Sequence, residues 1–142
     1  MRIITIGSED LALLERFVAA LGTSAASFRY FLHRPVTVIA NHLCTLLLLD
    51  DCGTPVGYGH LDPDGGRVWL GVALAEGATG HGYGKQLMYS LLTVAREKRL
   101  SEVYLAVDND NLRARSLYEK CGFIPVESRA TLTIFRWTPE SK

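Results

Sequence analysis

The chain has 142 residues and is 48% hydrophobic and 21% charged, which suits one globular domain over 1–142 and excludes a disordered chain. Fifteen basic side chains balance fifteen acidic ones, so the basic excess that nucleic acid attracts is missing. Cys44, Cys52 and Cys121 stand at no metal-ligand spacing, the N-terminal residues lack a signal-peptide pattern, and no apolar run is long enough to span a membrane. The expectation is a soluble, cytoplasmic protein with reduced thiols, no metal and no membrane or nucleic-acid partner.

Taken in chain order, Arg2 to Gly7 is apolar and β-branched and reads as a strand. Ser8 offers an N-cap to a helix carrying Leu11, Leu14, Phe17, Val18 and Leu21 on one face, which Gly22 ends. Ala25 to His33 reads as a second helix, stopped before Pro35. Leu43 to Leu49 and Pro55 to Asp62 are strands separated by a turn at Asp50 to Gly53. The turn Asp62-Pro63-Asp64-Gly65-Gly66 sends the chain back as a strand from Val68 to Leu74.

From Gly84 onward, Leu87, Met88, Leu91, Leu92 and Ala95 define a helix whose last turn carries Arg96, Lys98 and Arg99. Glu102 to Val107 is a strand, and the capping residues Asp108 to Asn111 precede a helix with Ala114, Leu117, Tyr118 and Cys121 on one face. Phe123 to Val126 and Thr131 to Trp137 close the chain as strands. The order β-α-α-β-β-β-α-β-α-β-β describes an α/β protein with a mixed sheet and helices on both faces.

Two segments carry chemistry. Thr79-Gly80-His81-Gly82-Tyr83-Gly84-Lys85 lies between a strand and a helix, where alternating glycines present backbone N–H groups to a phosphate or pyrophosphate. It fits neither the Walker loop nor the G-x-G-x-x-G fingerprint, because Thr79 and Gln86 miss the first and Gly80, Gly82 and Gly84 are evenly spaced. The second segment, Asn109 to Phe123, resembles the N-x-N-x-x-A-x-x-L-Y-x-x-x-G-F signature of the GNAT acyltransferase superfamily. In that family the signature follows an acyl-CoA loop [RQ]-x-x-G-x-G/A by one helix and one strand, and Gly82 and Gly84 match its two glycines. The resemblance is close over about residues 68–126, with one departure, Thr79 in place of Arg or Gln.

The resemblance implies acetyl-CoA as cosubstrate and an N-acetyltransferase that works by direct attack within a ternary complex. It implies that the fourth and fifth strands part to admit the pantetheine arm. Backbone groups of Val72, Ala73 and Leu74 would pair with that arm, and an N–H at or near Leu74 would hold the oxyanion. Thr79 and the amides of Gly80, His81, Gly82, Tyr83, Gly84 and Lys85 would hold the pyrophosphate, and Asn111 would bond the arm. Tyr118 matches the family tyrosine that contacts the CoA sulfur; a phenol near pKa 10 suits a hydrogen bond to departing sulfur better than outright proton donation.

The family's usual base positions fall on Leu70 and Val68, neither of which titrates. The hairpin brings His60 opposite or beside them, and strand alternation puts Tyr58, His60 and Asp62 on one face. His60 is therefore the expected base, with Glu76 and His81 as alternatives. Arg29, Tyr30 and Tyr58 are the expected acceptor contacts, Arg29 and Tyr30 from the aromatic and basic run Phe28 to Arg34. The acceptor is expected to be a small amine, such as an amino sugar or amino acid derivative. A protein N-terminus or lysine, or a CoA sensor without catalysis, stands as the alternative, and a homodimer is left open.

Overall fold

The computed structural model describes residues 1–140. Ser141 and Lys142, the end of the expected domain, lie outside the described residues. The elements run β1 (Arg2–Thr5), α1 (Leu11–Ala19), β2 (Cys44–Leu49), β3 (Pro55–Asp64), β4 (Arg67–Leu74), α2 (Tyr83–Glu97), β5 (Val103–Asp108), α3 (Leu112–Lys120), β6 (Ile124–Ser128) and β7 (Leu132–Trp137). They form one sheet in the order β1-β2-β3-β4-β5-β7-β6, with β4 and β5 parallel and every other pair antiparallel. The mixed sheet expected from the sequence is the one observed.

β2 explains why both faces need a cover. All six of its residues are buried, and alternation divides them. Leu46 and Leu48 join α2 and α3 in one core, while Leu47 and Leu49 join α1 in the other. On β3 the first core meets Gly57 and Gly59, where a Cβ would come within 2.9 Å of Leu87 Cδ1 and 2.8 Å of Leu91 Cδ1. Those two glycines let α2 settle directly on the strand.

Two local expectations are corrected. Ser8 does not cap α1: it opens a 3-10 turn, Ser8–Asp10, and Asp10 stands at the helix N-cap while its carboxylate accepts the Gly7 N–H at 2.9 Å. The second helix, Ala25 to His33, is replaced by 3-10 turns at Gly22–Ala26, Tyr30–Leu32 and Val36–Asn41. The reason is packing. Phe28 and Phe31 reach Tyr58 with ring centroids 5.6 and 5.4 Å away, and Tyr30 reaches His60 at 4.4 Å. A straight helix sends residues two apart to different sides, so it cannot aim all three at one patch.

Candidate active site

β4 and β5 share one registered pair, Trp69 with Tyr104, and then diverge. Between them opens a cleft of about 750 Å³, walled by the end of β4, including Val72, Ala73 and Leu74, and by Ala106, Val107 and Asp108 of β5. The parting of strands leaves backbone N–H and C=O groups without a ladder partner on either wall.

At one end of the cleft stand Thr79, Gly84, Asn111 and Tyr118. Gly80, His81, Gly82, Tyr83 and Lys85 continue the loop beyond that rim and into the first turn of α2, with Gly80 at φ +86° and Gly82 at φ +78°. Such left-handed turns suit glycine and leave the first amides of α2 pointing outward, a position that favours an anion. Asn111 caps α3 by accepting the Ala114 N–H at 3.3 Å on its side-chain oxygen, so its amide N–H₂ remains available to a ligand. Tyr118 is partly buried, and burial, aided by Cys121, pushes its hydroxyl up to about 12. It is a weaker acid than free phenol and stays protonated at neutral pH.

At the other end the walls are polar and aromatic. The register sets His60 opposite Gly71, so it stands beside Leu70 but faces the other way; Leu70 turns into the α2 core with Val68 packed against it. A Cβ at Gly71 would lie 2.6 Å from His60 Nε2, which places that nitrogen over the bare backbone of β4. His60 is 3% exposed and lines the cleft. Burial, with His42 and Arg34 nearby, holds it well below the usual histidine range, so it is neutral. Its Nδ1 lies 2.7 Å from the Tyr58 hydroxyl.

Beside it runs a chain of short contacts. Thr45 Oγ1 is 2.8 Å from His42 Nδ1, His42 Nε2 is 2.7 Å from the Tyr30 hydroxyl, and that hydroxyl donates to Asp62 Oδ2 at 2.8 Å. Burial lowers His42, and burial together with Asp62 raises Tyr30. Arg34 lies over the Tyr30 ring at 4.3 Å. Above the cleft, Arg29 donates to both carboxylate oxygens of Asp108, at 2.9 and 3.1 Å, and ties the 3-10 cap to the end of β5.

Three expectations change. Tyr58 is fully buried, packed among Phe17, Phe28 and Phe31, and its hydroxyl is engaged by His60; it stands behind His60 and does not line the cleft. Arg29 borders the cleft, but its guanidinium is occupied by Asp108, so it is not a free grip for an acceptor anion. Glu76, an alternative base, is exposed away from the cleft and accepts the Thr23 N–H at 3.0 Å, while His81 stacks on Tyr83 on the exposed loop. No sequence signal points to His42, Thr45 or Asp108 as site residues. His42 lies just before β2, where neither strand nor helix periodicity assigns it a face.

Comparison with known proteins matches these features. The model of the acetyltransferase (GNAT) family matches residues 12–123, and the chain belongs to that family. Over 65 residues it is 44% identical to a mycothiol acetyltransferase of Beutenbergia cavernae, and over 86 residues 36% identical to one of Renibacterium salmoninarum. These matches take in 46% and 55% of this chain but 22% and 25% of those proteins, so the chain spans about a quarter of their length. Among solved structures, the GNAT domain of S. lividans PAT superposes with a TM-score of 0.81 at 16% identity, covering 96% of this chain and 89% of that one. PaiA N-acetyltransferase of Thermoplasma acidophilum, in complex with coenzyme A, gives 0.73 at 21% identity over 97% and 99%. At such identities the likeness is one of fold.

Proposed function

We propose that the chain is an acetyl-CoA-dependent N-acetyltransferase that acts on the amine of a small molecule by direct attack in a ternary complex. The parting of β4 and β5 carries this reading, because it leaves unpaired strand edges along a cleft that ends at a glycine-turned helix N-terminus. The site fits the cosubstrate chemically: strand edges suit amide-rich pantetheine, and outward first-turn amides suit a pyrophosphate. Acetyl-CoA supplies the acyl group as a thioester.

The residues divide the work. Backbone groups of Val72, Ala73 and Leu74 hold the pantetheine arm, and an amide at or near Leu74 receives the oxyanion. Thr79 and the turn from Gly80 to Lys85 hold the pyrophosphate, and the free amide of Asn111 bonds the arm. The neutral Tyr118 hydroxyl hydrogen-bonds the departing sulfur and passes its proton as the bond breaks. His60 and its neighbours on β3 receive the amine. No metal has a part in this scheme.

One observation supports a small acceptor: the curated relatives are named for the acetylation of mycothiol. The chain is taken as a single domain working in the cytoplasm. The test is free-thiol release from acetyl-CoA with glucosamine, cysteine, lysine and a tetrapeptide as acceptors. Release with one of the first three and not with the peptide supports the reading; coenzyme A binding with no release on any amine identifies a sensor instead. Tyr118→Phe is expected to lower kcat about 10- to 100-fold with unchanged coenzyme A affinity.

A further inference from the structure

The two polar chains beside the cleft have fixed directions. A carboxylate only accepts, so Tyr30 gives its single hydroxyl proton to Asp62 Oδ2. His42 Nε2 must then donate to the Tyr30 oxygen, and in a neutral ring Nδ1 must accept, which leaves Thr45 as its donor. The chain runs one way, from Thr45 through His42 and Tyr30 to Asp62. It satisfies Oδ2 and leaves Oδ1 with no partner among the described residues, on a side chain that lines the cleft.

The second chain is decided by what would otherwise be orphaned. The Tyr58 hydroxyl sits in an aromatic stack whose polar neighbour is His60 Nδ1. Were His60 to carry its proton on Nδ1, the Tyr58 proton would have no acceptor in that stack, a costly arrangement for a buried hydroxyl. Tyr58 therefore donates, and His60 carries its proton on Nε2, the nitrogen that overhangs Gly71 and has no partner among the described residues. A ring with that proton already in place offers the cleft an N–H donor and no lone pair to take another proton there.

We propose that Asp62 is the proton acceptor for the attacking amine and that His60 works beside it as a neutral hydrogen-bond donor to an oxygen of the acceptor. The pair deepens the acetyltransferase reading and rests on it. It selects an amine bearing a nearby hydroxyl or carboxylate oxygen, since such a molecule satisfies both groups at once. In the reaction the amine lone pair forms the C–N bond and the carbonyl electron pair moves to oxygen. Asp62 Oδ1 takes a proton from the attacking nitrogen through waters along the cleft, because its register opposite Trp69 sets it some way down β4 from Leu74. The C–S bond then breaks with its electron pair on sulfur, Tyr118 supplies the proton to that sulfur, and solvent returns a proton from Asp62 to Tyr118. Because Oδ2 stays bonded to Tyr30 throughout, Asp62 changes charge without rearranging the chain behind it.

The test has two arms. In isotope-labelled full-length protein at pH 7.5, nitrogen–carbon correlations of the imidazole rings report the tautomers without any need for turnover. His42 and His60 are both expected as neutral rings with the proton on Nε2, and a proton on Nδ1 of His60 overturns the assignment. In the second arm, thiol release is measured with glucosamine and with cyclohexylamine, which has the ring and the amine but no oxygen. Asp62→Asn is expected to lose about 100-fold or more in kcat, while His60→Gln, whose amide still donates, loses less and mainly in KM. A larger kcat loss for His60→Gln than for Asp62→Asn, or equal use of the two amines by the wild type, overturns the proposal. Coenzyme A affinity, measured on each variant, confirms that the site is folded; a wild type that binds no coenzyme A defeats the acetyltransferase reading, with the tautomer arm still deciding the hydrogen-bond assignment.

Discussion

The two ends of the cleft are built on different principles. The proposed coenzyme end, from Thr79 through α2, β5 and α3, is regular: a glycine turn, a helix with one apolar stripe, a strand and a capped helix. The proposed acceptor end is irregular: three short 3-10 turns held down by aromatic rings over the buried His60, the half-buried His42 and a chain of polar contacts. A site for an invariant cosubstrate can be made from backbone, whereas selection among acceptors needs side chains in specific places, and that requires packing from distant segments.

Acid should expose the difference most strongly. Unfolded histidine titrates near 6.5, while folded His42 and His60 lie below it, so the unfolded chain binds more protons as pH falls through that value. Stability therefore decreases below about pH 6.5, by up to about 1.4 kcal/mol per pH unit for each histidine, until the folded values are reached. Urea unfolding between pH 7.5 and 5 checks this, and the His42→Gln/His60→Gln double variant should flatten the curve. A wild-type curve already flat in that range would show that the acceptor end does not hold neutral histidines.

At the helix-packed side the sensitive position is steric. Gly59→Val sets a branched side chain against Leu91 and should cost about 1–3 kcal/mol in denaturant unfolding. Asn111→Ala removes a cap worth about 1 kcal/mol and weakens coenzyme A binding, whereas Asn111→Ser restores the cap and not the ligand contact. Unfolding and calorimetry separate the two losses. The smallest change is expected from Arg29→Ala, below about 1 kcal/mol, because the Arg29–Asp108 pair is half exposed and screened; a salt series checks that the loss vanishes at high ionic strength.

The same contrast accounts for what was legible in the sequence. Leu87, Met88, Leu91 and Leu92 declare a helix face by their spacing alone, and Gly82, Gly84 and Asn109 to Phe123 mark the coenzyme end through the resemblance. Alternation on β3 correctly grouped Tyr58, His60 and Asp62 on one face. It did not reveal that Tyr58 is covered, since that depends on Phe17, Phe28 and Phe31 arriving from other segments. His42 was invisible for the same reason: its role comes from Tyr30, twelve residues earlier, and from Thr45 in the next strand. Arg29 is an expected acceptor contact in the sequence because its actual partner, Asp108, lies 79 positions away.

The single registered pair between β4 and β5 has a mechanical consequence. The sheet is in effect two rafts lashed at one point, braced on one side by α2, whose core residues touch both, and on the other by the Arg29–Asp108 tether. Any molecule that spans the seam and hydrogen-bonds to both shores acts as a rivet. Occupancy at a hundred times the dissociation constant adds about 2.7 kcal/mol of resistance to unfolding, so the protein stripped of such a molecule should be clipped by proteases faster than the riveted one.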